Sequence, residues 1–149
     1  MTRQEVEKLA FDTMSSGLNC AETVLQVTAS LFEVPTDGLV PRVATCFGGG
    51  LGRCQDELCG ALAGGAMALG LLYGRDRPGG SCETAHTLAA SLRQQFIERH
   101  GSSTCRALLA RFGEQENWSR CKELVAVTAG MLLALVEAEQ TGRQAAQAS

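Results

Sequence analysis

Seven cysteines, at positions 20, 46, 54, 59, 82, 105 and 121, stand out in a chain of 149 residues. A thiolate attacks disulfides and ligates metal, so this many thiols point to metal binding or thiol redox chemistry. Spacing removes several assignments at once. There is no CxxC, hence no thioredoxin motif and no zinc ribbon, and no CxxCH for covalent haem attachment. Cys59 is the most conspicuous thiol, because it lies where a glycine loop, Gly48-Gly49-Gly50-Leu51-Gly52, feeds the uncharged run Leu58–Tyr73. A thiol at that point is presented to a dry interior from a fixed backbone, which suits redox chemistry or metal ligation. The competing reading is that Cys59 is a small buried hydrophobe, as free cysteines often are.

Other chemistry is weakly represented. The glycine loop lacks the GK[ST] ending of a P-loop, does not fit GxGxxG and follows no predicted strand, so nucleotide binding is disfavoured. The N–H groups of Gly48, Gly49, Gly50 and Gly60 could still approach an anion, or thiolate and sulfide sulfurs beside Cys59. His86 and His100 lack an HxxxH partner, and His100, next to the helix-ending Gly101, reads as a surface residue interacting with the helix dipole. The carboxylates are dispersed and suggest no acid/base pair.

The chain is long enough for one domain with a real core, and 45% apolar with 19% charged residues fits a folded globular protein. A net charge of −3, with Lys and Arg scattered singly, argues against nucleic-acid binding. MTRQEVEKLAFD has no apolar core of a signal peptide, and Leu58–Tyr73 is too short for a membrane span, so a cytoplasmic protein without membrane insertion is expected. In such a reducing compartment a disulfide framework is disfavoured.

The elements that must position the thiols are helices. Thr2 with Glu5 and Asn19 with Glu22 make capping boxes ahead of apolar stripes that stop at Gly17 and before Pro35. After a connector and at most a short helix over Arg42–Cys46 come the glycine loop and the buried helix, closed by Gly74. Ser81 is expected to cap a long helix ending at Gly101, Ser102 or Ser103 a short one carrying Cys105, and Ser119 a last one carrying Cys121. Glu114–Asn117 reads as solvated loop. No sustained period-2 alternation appears, so the fold class is all-α: a single-domain bundle of about five main helices with one or two short ones, spanning 1–140, with a tail over 141–149 expected to fray. The Cys59–Tyr73 helix, alone in lacking a charged face, should be the most buried element. On this layout Cys20, Cys59, Cys82, Cys105 and Cys121 all fall in the first turn of a helix, where the dipole and free N–H groups should lower a thiol pKa.

The stretches Asn19-Cys20-Ala21-Glu22-Thr23-Val24-Leu25, Phe47-Gly48-Gly49-Gly50-Leu51-Gly52 and Cys59-Gly60-Ala61-Leu62-Ala63-Gly64-Gly65-Ala66-Met67-Ala68-Leu69-Gly70 resemble the C-GCAxxG-C-C family of redox-active proteins. The likeness continues in Gly101–Leu109, with Cys105, and in Cys121, and covers most of the chain. It implies a small helical protein with a thiol or electron-transfer role, found mostly in anaerobic bacteria and archaea, some relatives carrying selenocysteine or an iron–sulfur site. It implies Cys20, Cys59, Cys105 and Cys121 as the family cysteines, and gives Cys46, Cys54 and Cys82 no counterpart.

Two functions follow. In the first, Cys20, Cys59, Cys105 and Cys121 act together, binding an iron–sulfur cluster or cycling between dithiol and disulfide, with a redox donor or acceptor protein as partner. In the second, the chain is a structural or small-molecule-binding helical module whose cysteines are mainly core. A Gly/Ala-faced helix is suited to pairing with a second copy, so a homodimer is compatible with the sequence. The first reading demands that four helix starts converge; the second lets the cysteines scatter.

Overall fold

The computed structural model describes residues 1–149. It is all-helical: α1 Arg3–Ser15, α2 Cys20–Leu31, a short 3-10 helix Arg42–Phe47, α3 Gly60–Tyr73, α4 Glu83–His100, α5 Cys105–Phe112 and α6 Ser119–Ala148. There is no strand, and the single β-type pairing is an isolated antiparallel bridge between Leu58 and Thr104.

Both expected capping boxes form. Glu5 N–H donates to Thr2 Oγ1 and Thr2 N–H to Glu5 Oε2, and the same exchange links Asn19 with Glu22. The later helix starts differ from expectation. Cys82, not Ser81, is the N-cap of α4, and Glu83 N–H reaches Ser81 Oγ only at 3.5 Å. Thr104 occupies the N-cap of α5, its N–H donating 3.2 Å to Ser102 Oγ. Ser119 is the first residue of α6, behind a left-handed Trp118 (φ 58°). There Gln115 takes the capping role, its Oε1 accepting from the N–H groups of Arg120 and Cys121, both at 3.0 Å. From Thr141, where composition predicts fraying, α6 runs on to Ala148 with every side chain exposed.

The core is a large cluster in which α6 packs along α1 and α2 lies close against α3, with Val6, Val24, Leu69, Leu92, Phe96, Leu132 and Val136 fully covered, and a small second cluster of Ala21, Leu25, Ala44 and Ala68. The α2–α3 approach explains the glycines of α3. A methyl group on Gly64 would overlap the Ala21 carbonyl oxygen, and one on Gly65 would lie 2.7 Å from Leu92 Cδ2. Close backbone approach thus offsets the roughly 1 kcal/mol of helix propensity lost at each such glycine. The expectation that this helix is the most buried element needs correction. Gly60–Gly65, Ala68 and Leu69 are buried, but Ala66, Gly70 and Leu71 face solvent, and α2 is covered to a like extent. Having no charged face, α3 still leaves part of its last two turns uncovered.

Candidate functional site

Each of the four cysteines is set by the start of a different helix. Cys20 is the first residue of α2, behind Asn19, whose Nδ2 donates to Thr45 O at 3.0 Å while Thr45 Oγ1 donates to Glu22 Oε1 at 2.7 Å. These bonds fasten the 3-10 helix to the turn that carries Cys20. Cys59 is the N-cap of α3, Cys105 the first residue of α5, and Cys121 the third residue of α6. The Leu58–Thr104 bridge joins two of these starts: Cys59 N–H donates to Ser103 O at 2.8 Å, and Cys105 N–H to Glu57 O at 3.0 Å. Next to it, Arg106 N–H donates to Gln55 O, and its guanidinium to Asp56 Oδ1 (2.5 Å) and Cys54 O (3.1 Å).

Cys20, Cys59, Cys105 and Cys121 all line one solvent-open cavity of about 1310 Å³, together with Cys46. Its floor is closed by glycine. A methyl on Gly60 would overlap Cys20 Sγ, and one on Gly50 would lie 2.7 Å from Cys105 Cβ. The glycine loop owes its shape to a run of left-handed residues, Gly49 (φ 65°), Gly50 (68°), Leu51 (70°), Gly52 (59°) and Arg53 (62°). Three of these five are glycine, which enters that region freely, whereas Leu51 and Arg53 hold a conformation that costs ordinary residues about 1–2 kcal/mol each. Gly48, Gly49 and Gly60 line the cavity, and Gly50 lies behind Cys105. The N–H groups of Gly49, Gly50 and Leu51 make no hydrogen bond within the protein.

The electrostatics overturn one expectation. Helix-start placement should lower the thiol pKa, yet burial pushes Cys59 far up, and the neighbouring Cys20 and Cys105 push in the same direction. The N–H groups of Ala61 and Leu62 oppose this without reaching hydrogen-bond geometry, and desolvation wins. Cys105 is pushed up to about 11, first by burial and then by Cys20, Cys121 and Cys54. Cys121 is also raised by burial, partly countered by Gln115 Nε2, which donates to its sulfur at 3.2 Å. His100 departs from expectation too: half-buried, it is held down to about 4 by burial and by Arg99, so it is neutral at pH 7 and carries no charge to the α4 dipole.

The remaining cysteines stand apart in different ways. Cys54 is exposed, its thiol donating to Gly50 O at 2.9 Å, and Cys82 starts α4 away from the cavity. All seven are free thiols, and no three His, Cys, Asp or Glu side chains stand close enough together to hold a single metal ion. Nothing in the sequence pattern marks Gln115, Arg53 or Lys122, which reach this site only through the fold. No curated protein and no solved structure matches the chain. The family model described as "Putative redox-active protein (C_GCAxxG_C_C)" matches residues 18–135, a span that takes in Cys20, Cys59, Cys105 and Cys121 and the helix starts that carry them, and the chain belongs to that family.

Proposed function

We propose that the protein transfers electrons through an iron–sulfur cluster ligated by Cys20, Cys59, Cys105 and Cys121. The observation that carries this reading is that four helix starts, far apart in sequence, bring these four thiols to one cavity. The donor set is the one that two- and four-iron clusters take, and a cluster spreads its ligands more widely than one metal ion does, consistent with the lack of a tight single-ion site. Bound there, the cluster would supply one-electron chemistry.

The chain's own residues account for the rest. Burial keeps Cys59, Cys105 and Cys121 protonated in the absence of a cation. A thiol that must attack a disulfide needs a pKa near ambient pH, so these three are poor leading nucleophiles, whereas a metal centre displaces the protons outright. Four helix N-termini, together with Arg53 and Lys122 on the cavity wall, favour the negative charge that thiolates bring. Gln115 Nε2 donates directly to the Cys121 sulfur, the kind of bond that tunes a thiolate ligand. Dithiol cycling is favoured by a different observation: Cys54 is exposed and close enough to Cys105 to raise its pKa.

Protein purified without oxygen, or reconstituted with iron and sulfide, separates the two. A visible charge-transfer band with iron and sulfide in stoichiometric amounts, lost in Cys59→Ser, is the expected result. Protein without iron or sulfide, whose free-thiol count falls by two on oxidation, would replace the cluster with dithiol cycling.

A further inference from the structure

Away from the four cysteines, the ends of α4 and α5 and the start of α6 line a second, solvent-open pocket of about 490 Å³. Arg99, Arg111 and Arg120 line it with His100, and Glu123 is the only acid. Phe112 and Leu124 form a wall that it shares with the cysteine cavity. The arginines are largely unspent. Arg99 and Arg111 make no ion pair and donate no side-chain hydrogen bond, while Arg120 meets Glu123 only at 3.9 Å, both side chains more than half exposed. Three guanidiniums converging in a chain of net charge −3 repel one another unless something negative lies between them.

Two further features show that the pocket is shaped. Gly101 closes α4 in the left-handed region (φ 89°), and a methyl there would lie 2.5 Å from Arg111 Cζ, so that guanidinium rests against the glycine. One residue earlier, His100 is held edge-on to Phe96, ring centres 4.8 Å apart, with its Nε2 sealed from water and without a hydrogen-bond partner. Two unpaired guanidiniums, and a third held only loosely by Glu123, on the wall of one pocket are an arrangement that a bound oxyanion would complete.

We propose that Arg99, Arg111 and Arg120, with His100, form a binding site for a phosphate group, either free phosphate or a monoester on a small molecule. One arginine satisfies a carboxylate with two parallel bonds, but a phosphate carries close to two charges and enough oxygens to engage several forks at once. The shared wall of Phe112 and Leu124 would set such a ligand beside the cysteine cavity. The site does not depend on whether a cluster or a dithiol occupies that cavity.

The test titrates the full-length chain at constant ionic strength with inorganic phosphate, ribose 5-phosphate and, as control, chloride. Calorimetry reads binding, and NMR reads the His100 ring. That ring shares the pocket with Arg99 on its own helix, Arg111 from α5, and Arg120 and Glu123 from α6. A bound dianion amid those cations should move its titration upward. Saturable binding with a perturbed His100 ring is expected, weakened at least about tenfold in both Arg99→Gln and Arg111→Gln. Tighter binding of ribose 5-phosphate assigns the site to a monoester, and equal binding assigns it to the free ion. If Arg111→Gln fails to fold, Arg99→Gln, altered at an exposed position, decides alone. No saturable binding below about 10 mM, equal binding by the variants, or the same response to chloride would overturn the proposal.

Discussion

The thiols of Cys59 and Cys105 show burial and helix-start placement acting against each other at single residues. A helix N-terminus is worth about 0.3–1 kcal/mol to a nearby negative charge at an exposed site, whereas desolvation can move a buried group by several pKa units. Burial therefore sets the sign, and Cys105 rises to about 11 despite opening α5. Alkylation should follow this order. The exposed Cys46 and Cys54 react first, and Cys59 lags behind both. At pH 8 Cys105 is about one part in a thousand thiolate against about a tenth for a thiol near 9, so it should label about a hundredfold more slowly. Its rate should climb about tenfold per pH unit until close to pH 11. Mass spectrometry of the metal-free protein after timed alkylation gives the site-by-site rates. A Cys105 that labels as fast as Cys54 at pH 8 contradicts the electrostatic account. Cys54 and Cys59 also differ in consequence: Cys54→Ser should leave redox behaviour largely intact, and Cys59→Ser should abolish it.

At the scale of elements, the glycines of α3 divide into those that hold α2 close and those that only weaken the helix. Gly64 has no room for a methyl, because the rigid backbone of Ala21 occupies the space; Gly70 has nothing within 4 Å. Gly70→Ala should stabilise the protein by about 0.5–1 kcal/mol through helix propensity and a stiffer unfolded chain. Gly64→Ala gains the same propensity but forces α2 and α3 apart, for a net loss of about 1–3 kcal/mol. Denaturant melts of the two variants read the contrast, and a shift of the same sign in both would refute it. Much of this layer was legible in the sequence. The capping boxes at Thr2/Glu5 and Asn19/Glu22 were visible because both partners lie within one turn, and the Gly/Ala run marked a face suited to close pairing, which within the chain α2 takes up. The Leu58–Thr104 bridge that seats Cys59 beside Cys105 was not visible, since it joins residues far apart in the chain. Gln115 looked like solvated loop for the same kind of reason. Its cap on α6 and its bond to Cys121 exist only because Trp118 turns left-handed and folds the loop back. The arginine pocket draws its residues from three elements, and singly each looked like a solvated charge.

Across the whole molecule, the four cysteines sit on elements of very unequal hold. Helices α2, α3 and α6 are bound into the main core, whereas α5 has eight residues, buries only Leu108, and shares little surface with any other helix. An isolated helix of that length is marginal in water, so α5 depends on its ties at one end. Those ties are the backbone bonds from Cys105 and Arg106 to residues 55–57 and the Arg106–Asp56 pair, which is solvent-exposed and so a weak hold by itself. Cys105 thus rides on the segment that should open most readily, and a centre that binds it together with Cys20, Cys59 and Cys121 closes long loops through that weak point. Native-state hydrogen exchange on the metal-free protein should find the amides of Leu108–Phe112 opening at a much lower free energy than those of Val24–Thr28 in α2. Once the four thiols are joined, by the proposed cluster or by a chemical cross-link from Cys105 to a cavity neighbour, the α5 amides should slow by at least about tenfold while those of α2 change little. If α5 exchanged only with global unfolding before any link was made, its order would come from packing alone, and the centre could not be what completes this end of the fold.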